Sequence, residues 1–324
     1  MIQQSMGAAA TELVSCPNCG ADPHETLYEL ADYMHGTPDI FPMRRCGTCG
    51  LLFLSPRPTL ESIMAYYPAE YNPYQLAIQD EKWAAIRIMR RAKIVSLLKL
   101  VERHAAVVPG RILDIGCSTG IFLDEMGRNG WDVQGIELNE EAAQYAQSRL
   151  QLPVHVDDLL AIDIEQLGGR ASFDAVTMWN VLEHTFDPGA VLARCWELLN
   201  DDGIVAFIIP SWESMDRRLF GRYWIGFDTP RHLFVFPNET LVEILQNQGF
   251  QVVDNRCLFG GYYAFIQSIF GLSRSRMSSG TAKALERLLL FPGLRFPFEP
   301  FFMFADVLGM GGIRCVVARK VNRK

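Results

Sequence analysis

Apolar runs alternating with helical segments, a glycine turn directly after the first of those runs, and two Cys-x-x-Cys pairs near the start carry the fold prediction. They predict a doubly wound, mostly parallel α/β sheet with a small amino-terminal cysteine module. The 324 residues suit two or three units, on a scale of roughly 100–200 residues each. With 49% hydrophobic and 21% charged residues, disordered, collagenous and disulfide-scaffold classes are excluded. A net charge of −7 argues against a nucleic-acid binder, whose footprint is basic. No uninterrupted apolar run reaches membrane-spanning length. Met1–Ser15 has neither the basic start nor the apolar stretch of a secretory leader. The expectation is a cytoplasmic protein.

Taken in order, residues 1–55 form the cysteine module, with short strands and loops across 16–54. Residues 56–105 are a linker and a helix. Its first part is rich in Pro and Tyr (Pro56, Pro58, Tyr66, Tyr67, Pro68, Tyr71), which predicts little regular structure to about residue 75. From about Leu76 to His104 a helical period appears, with Ile94, Leu97, Leu98 and Val101 on one face. The main domain covers 106–258 and 313–324. Strands are predicted at Arg111–Ile115, Val133–Glu137, Val154–Val156, Phe173–Met178, Gly203–Ile209, Phe250–Cys257 and Ile313–Ala318. Between them, one helix stops at Asn129-Gly130 and another is capped by Asn139, with Glu140 and Glu141 at its positive end. A third opens at Asp187-Pro188, where the missing proline N–H costs nothing, and a fourth runs Asn238–Asn247.

The first strand ends in Asp114-Ile-Gly116-Cys117-Ser-Thr-Gly120. This is Gly-x-x-x-Gly, without the third glycine of dinucleotide binders or the Lys-Ser/Thr of a phosphate loop. A carboxylate entering the turn repels a pyrophosphate and complements an amino group and a sulfonium. Glu137 ends the second strand, where an acid accepts from both hydroxyls of a ribose. Asp158, or its neighbour Asp157, follows the third strand within reach of an adenine amino group. Three acids at successive strand tips fit a cationic adenosine ligand, S-adenosylmethionine.

These segments, with Glu137-Leu138 in GIELN, Asp158-Leu159, and FDAVTMWNVLEH from Phe173 to His184, resemble the motifs of class I S-adenosylmethionine-dependent methyltransferases. The resemblance covers about 105–258 and 313–320. It implies a Rossmann-like sheet of seven strands, the last antiparallel. It further implies Asp114, Gly116, Cys117 and Gly120 around the methionine end, Glu137 and Leu138 at the ribose, Asp158 and Leu159 at adenine, and Trp179 and Asn180 lining the transfer site. A nucleotide-dependent oxidoreductase and a non-enzymatic scaffold with a degenerate pocket are the competing classes.

On the acceptor side, His184 and His232 are the candidate bases, since a neutral imidazole can take a hydroxyl proton. Trp212–Phe236 holds seven aromatic residues among 25 and is expected to form an acceptor pocket and lid over the crevice. Its Asp228-Thr-Pro-Arg-His-Leu-Phe segment resembles one in bacterial glycan and antibiotic methyltransferases. O-methylation of a glycan, lipid-linked sugar or small metabolite is therefore expected, with a quinone precursor as the alternative acceptor. Glu183-His184 resembles part of a Glu-x-x-Glu-His metal site of quinone O-methyltransferases. Asn180 stands in place of the first Glu, and no metal is predicted there.

Cys16-Pro-Asn-Cys19-Gly and Cys46-Gly-Thr-Cys49-Gly each aim two thiolates at one point. Together they predict a tetrahedral, closed and therefore structural zinc site. Finally, residues 260–312 form an insertion dense in large apolar side chains. From Leu272 to Lys324 the chain carries ten basic and three acidic residues, +7 against −14 for the other 271. A peripheral membrane contact and a homodimer or cap on the sheet are both expected uses of such a segment.

Overall fold

Two cysteine turns of the same build open the chain in the computed structural model, which describes residues 10–22, 24–67, 81, 84–258 and 261–321. In each, the glycine N–H donates back to the first cysteine carbonyl, Gly20 to Cys16 at 2.8 Å and Gly50 to Cys46 at 3.0 Å. Between and around them run β1 (Thr11–Glu12), β2 (His24–Ala31), β3 (Ile40–Cys46), β4 (Leu52–Leu54) and β5 (Arg57–Pro58). β2, β3 and β4 are a continuous antiparallel ladder, and β1 pairs with β5.

The remainder is α1 (Ala84–His104), β6 (Arg111–Ile115), α2 (Ile121–Arg128), β7 (Asp132–Glu137), α3 (Glu140–Arg149), β8 (Val154–Val156), β9 (Phe173–Trp179), α4 (Pro188–Leu198) and β10 (Leu199–Pro210). It continues with α5 (Met215–Phe220), β11 (Phe234–Val235), α6 (Asn238–Asn247), β12 (Phe250–Cys257), α7 (Tyr262–Arg276), α8 (Ser279–Leu289), α9 (Pro292–Val307) and β13 (Ile313–Lys320). Local chemistry sets these boundaries. Asn139 and Asp187 accept the orphan N–H groups of Ala142 and Ala190 at 2.8 Å each. Seven strands form one sheet in the order β8–β7–β6–β9–β10–β13–β12, with β13 antiparallel to both neighbours. This is the expected Rossmann-like methyltransferase fold. After β8 the chain crosses back to β9, so the winding reverses between β6 and β9, and the crevice at their tips is where such sheets bind ligands.

The structure departs from the sequence reading in two places. The cysteine module shares its sheet with the main domain: β11 pairs with the edge of β4, giving the order β11–β4–β3–β2. Its buried Leu30, Met43 and Phe53 belong to the same apolar core as Leu113, Phe173 and Phe207. In the segment read as a linker, Tyr66 is buried and donates to Asp39, while Arg57 reaches Glu12 and the Phe186 carbonyl. Burial and side-chain bonding order its residues 56–67 despite Pro56 and Pro58, and residues 68–75 lie outside the described residues. Most of the expected start of the 76–104 helix lies outside the described residues.

Candidate active site

Asp114 is the penultimate residue of buried β6 and is 2% exposed. Thr177 on neighbouring β9 donates to its Oδ1 at 2.6 Å. Burial pushes the Asp114 carboxyl up to about 8, against the pull of the Thr177 hydrogen bond, and the adjacent Glu137 adds to the rise. Glu137, at the tip of β7, is already oriented: its two oxygens accept from Ser118 N–H and Asn139 N–H, each at 2.8 Å. Burial pushes it up as well. Two unneutralised carboxyls at neighbouring strand tips have an outstanding electrostatic demand that a bound cation meets.

The glycine turn brings backbone to these acids. Gly116 has φ +68° and Gly120 φ +76°; a Cβ on Gly116 would stand 2.6 Å from Val181 Cγ2, and one on Gly120 2.5 Å from Leu152 Cδ1. Both positions need glycine for sign of φ and for space. Cys117 points away from the turn into the core, buried, where a Cβ on Gly135 would meet its Sγ at 2.7 Å. Leu138 is exposed beside Glu137, and Leu159 is buried. Asp158 is exposed and turned into its own loop, its Oδ1 accepting from Leu160 N–H at 2.8 Å. Asp114 and Glu137 thus share one site, whereas Asp158 stands apart at the next tip.

At the tip of β9, Trp179 packs edge-on against Phe122 at 5.2 Å, and Asn180 takes φ +58°. That uncommon non-glycine conformation turns the chain into Val181–His184, which lies over the glycine turn. Here Glu183, His184 and His232 converge, with one ligand atom from each within 4.8 Å of the others. The imidazole rings are 4.6 Å apart. His184 Nδ1 lies 3.0 Å from the Arg231 carbonyl and 3.1 Å from the Tyr67 hydroxyl, and His232 Nδ1 lies 2.9 Å from the Gly226 carbonyl. A carbonyl only accepts, so each Nδ1 carries the proton and each Nε2 keeps its lone pair. Burial, then the neighbouring His232, drive His184 down to about 3; burial lowers His232 as well. Both rings are neutral at physiological pH. Glu183 is 1% exposed and neither carboxyl oxygen has a hydrogen-bond partner among the described residues.

Sequence reasoning missed three of these features. Arg231 is fully buried and donates to Asp32 through Nη1 and Nη2 at 3.0 Å each, and to Asp228 through Nη2 at 2.7 Å and Nε at 3.0 Å. Burial pushes the Asp228 carboxyl up, but Arg231 outweighs it and holds the group at about 2. Tyr67 and the partnerless Glu183 are the other two. The aromatic segment also differs from its expected role: Trp224, Phe227, Phe234 and Phe236 are buried and form core beneath the cysteine sheet, because β11 draws this stretch onto β4. They do not line an open acceptor pocket.

In the cysteine module, Cys16 and Cys49 sulfurs are 3.5 Å apart and those of Cys19 and Cys46 3.6 Å. All four are free thiols within 4.8 Å of one another. A zinc–sulfur bond of about 2.3 Å in a tetrahedron sets a sulfur–sulfur edge of roughly 3.8 Å, and the cluster fits that ion.

A family model described as a methyltransferase domain matches residues 87–255. The ubiquinone biosynthesis O-methyltransferase of Chromobacterium violaceum is 34% identical over 113 residues, covering 34% of this chain and 48% of that protein. The protein of the same name from Rhodopseudomonas palustris is 33% identical over 166 residues, covering 49% and 60%. The chain spans about half the length of the curated relatives it matches. Among solved structures, magnesium protoporphyrin IX methyltransferase from Synechocystis superposes with a TM-score of 0.51 at 14% identity, covering 80% of this chain and 98% of that one. At that identity the likeness is one of fold.

Proposed function

The chain belongs to the class I S-adenosylmethionine-dependent methyltransferases, and from that membership we propose that it O-methylates a hydroxyl of a quinone precursor. The supporting observation is the pair of neutral imidazoles, each with Nδ1 turned to a backbone carbonyl, beside the buried Glu183 on the segment that covers the glycine turn. The names of the relatives favour this acceptor over the glycan expected from the sequence. Asp114 and Glu137 hold the donor through its amino and ribose groups. The acceptor oxygen attacks the methyl carbon in line with the sulfonium, the carbon–sulfur bond breaks, and S-adenosylhomocysteine leaves. The hydroxyl proton passes into the Glu183–His184–His232 cluster, in which burial holds both imidazoles neutral and pushes the Glu183 carboxyl up to about 8, the strongest base of the three near neutral pH.

Mass spectrometry of a catechol-bearing quinone precursor incubated with the chain and labelled donor tests this reading. His184→Ala and His232→Ala are expected to lower kcat by roughly 10²–10⁴-fold with donor affinity unchanged. Donor binding without transfer to any hydroxyl acceptor overturns it. A divalent cation on Glu183, His184 and His232 is a second reading, favoured by the partnerless carboxyl; it would polarise the acceptor hydroxyl. Activity removed by a chelator and restored by a divalent metal would select it.

The four cysteines hold one zinc ion, closed to substrate and structural, in the same proposal. Elemental analysis of the purified chain, expected at one zinc per chain and lost in Cys19→Ser, checks it.

A further inference from the structure

Helices α7, α8 and α9 leave the tip of β12 and return the chain to the start of β13. β12 and β10 share the antiparallel partner β13 and therefore run in one direction. The three helices thus rise from the same edge of the sheet as the glycine turn and the His184 segment. α9 is held by a narrow face: Phe302 and Ala305 are buried, and Phe302 packs against Tyr262 and Phe265 at 5.8 and 5.3 Å. Phe296, Phe298, Phe301 and Phe304 stand in the open, together with Phe291 at the turn from α8; Phe291 is 63% and Phe304 61% exposed. Rings of roughly 200 Å² each, more than half exposed, leave on the order of 500 Å² of aromatic surface, enough to mark an interaction site.

Charge says what covers it. Lys283 and Arg287 are exposed and one turn apart on the same face of α8, a stripe that runs into Leu290 and Phe291. Within α8 and α9 three basic residues stand against three acids, but Glu286 pairs with Arg274 and Glu299 with Arg295, which leaves the exposed cations beside the rings. No single described helix is long and apolar enough to cross a membrane, and α8 and α9 meet at 73°. A bent pair with rings outward and cations beside them suits an interfacial position. A second copy is the poorer occupant, because a two-fold axis through this patch would bring the two basic stripes together.

We propose that α8 and α9 dock on a bilayer surface carrying anionic headgroups, with the phenylalanines entering the acyl boundary and Lys283 and Arg287 on the headgroups. The purpose rests on the methyltransferase reading, since docking at this edge presents the site to an acceptor with an apolar tail. The docking itself does not.

Sedimentation of the full chain with vesicles of phosphatidylcholine alone, or with one third phosphatidylglycerol, tests it. Binding is expected on the anionic vesicles. Phe301→Ser with Phe304→Ser, and separately Lys283→Gln with Arg287→Gln, are expected to weaken it roughly tenfold with melting temperature unchanged. The emission of a Phe304→Trp variant should be quenched by brominated acyl chains. Equal sedimentation of all variants, absence of that quenching, or a dimer in velocity sedimentation that Phe301→Ser with Phe304→Ser dissolves would each overturn the proposal. Anionic-vesicle binding by a wild-type chain that shows no calorimetric binding of the methyl donor would support the docking and overturn the methyltransferase reading instead.

Discussion

Asp114 is a carboxyl in a medium hostile to its charge, and that gives it a measurable signature. Thr177, Glu137 and the Cys117 thiol face it, and none supplies a positive charge. With a folded pKa of about 8 against 3.8 unfolded, its contribution to stability is whole below about 4 and is lost as pH rises through about 8. Asp114→Asn should therefore melt with the wild type near pH 4 and above it at pH 9, by differential scanning calorimetry. A sulfonium and ammonium bound beside the carboxylate lower that pKa, so binding releases a proton. Affinity for S-adenosylmethionine is expected to rise with pH up to about 8 and then level. Calorimetric titration in buffers of different ionisation enthalpy reads the proton directly. In Asp114→Asn the profile should flatten and affinity fall by about 2 kcal/mol, the worth of a hydrogen bond to a charged group.

At the scale of elements, the turn after β6 and the segment after β9 form one device, because Val181 lies against the space where a Gly116 side chain would be. Gly116→Ala adds a methyl at positive φ and displaces Val181–His184. The expected outcome is a loss of roughly 1–3 kcal/mol in urea denaturation, with donor affinity and kcat falling together because both walls of the crevice move. These strand tips were legible in the sequence because each carries a local signal: an acid or glycine just past an apolar run, Asn139 or Asp187 as a cap. The partnership of Arg231 with Asp32 was not, since nothing local marks residues 199 positions apart. Nor does aromatic density carry direction. Trp224 and Phe227 would read alike in an open cleft or a core, and the two-residue pairing of β11 with β4 decides for the core. Glu183 was legible as a residue in a motif, but its lack of a partner is a property of the packing around it.

Over the whole molecule, the cysteine module and the seven-stranded sheet are joined where the reaction is proposed to occur. Arg231 ties Asp32, directly after β2 of the module, to Asp228, and its own carbonyl orients His184. Arg231→Met leaves two buried carboxylates without their cation and should cost about 3–5 kcal/mol, measured by chemical denaturation. Loss of the proposed zinc is expected to act more selectively. The metal would fix both cysteine turns, between which β2 and β3 run and after which β4 pairs with β11; Thr240 on α6 also bonds the Cys49 carbonyl at 2.8 Å. The glycine turn, Asp114 and Glu137 belong to the other sheet, and β6 and β7 are paired with strands that touch no cysteine turn. Stripping the ion with a chelator should therefore raise amide exchange across 24–54 and 234–235 and leave β6 and β7 protected. By the same geometry kcat should fall further than donor affinity, because His184 takes its orientation from the carbonyl of Arg231, which Asp32 just after β2 anchors to the loosened sheet. Uniform exchange across both sheets, or an equal loss of affinity and turnover, would mean that the ion supports the whole fold rather than the acceptor side.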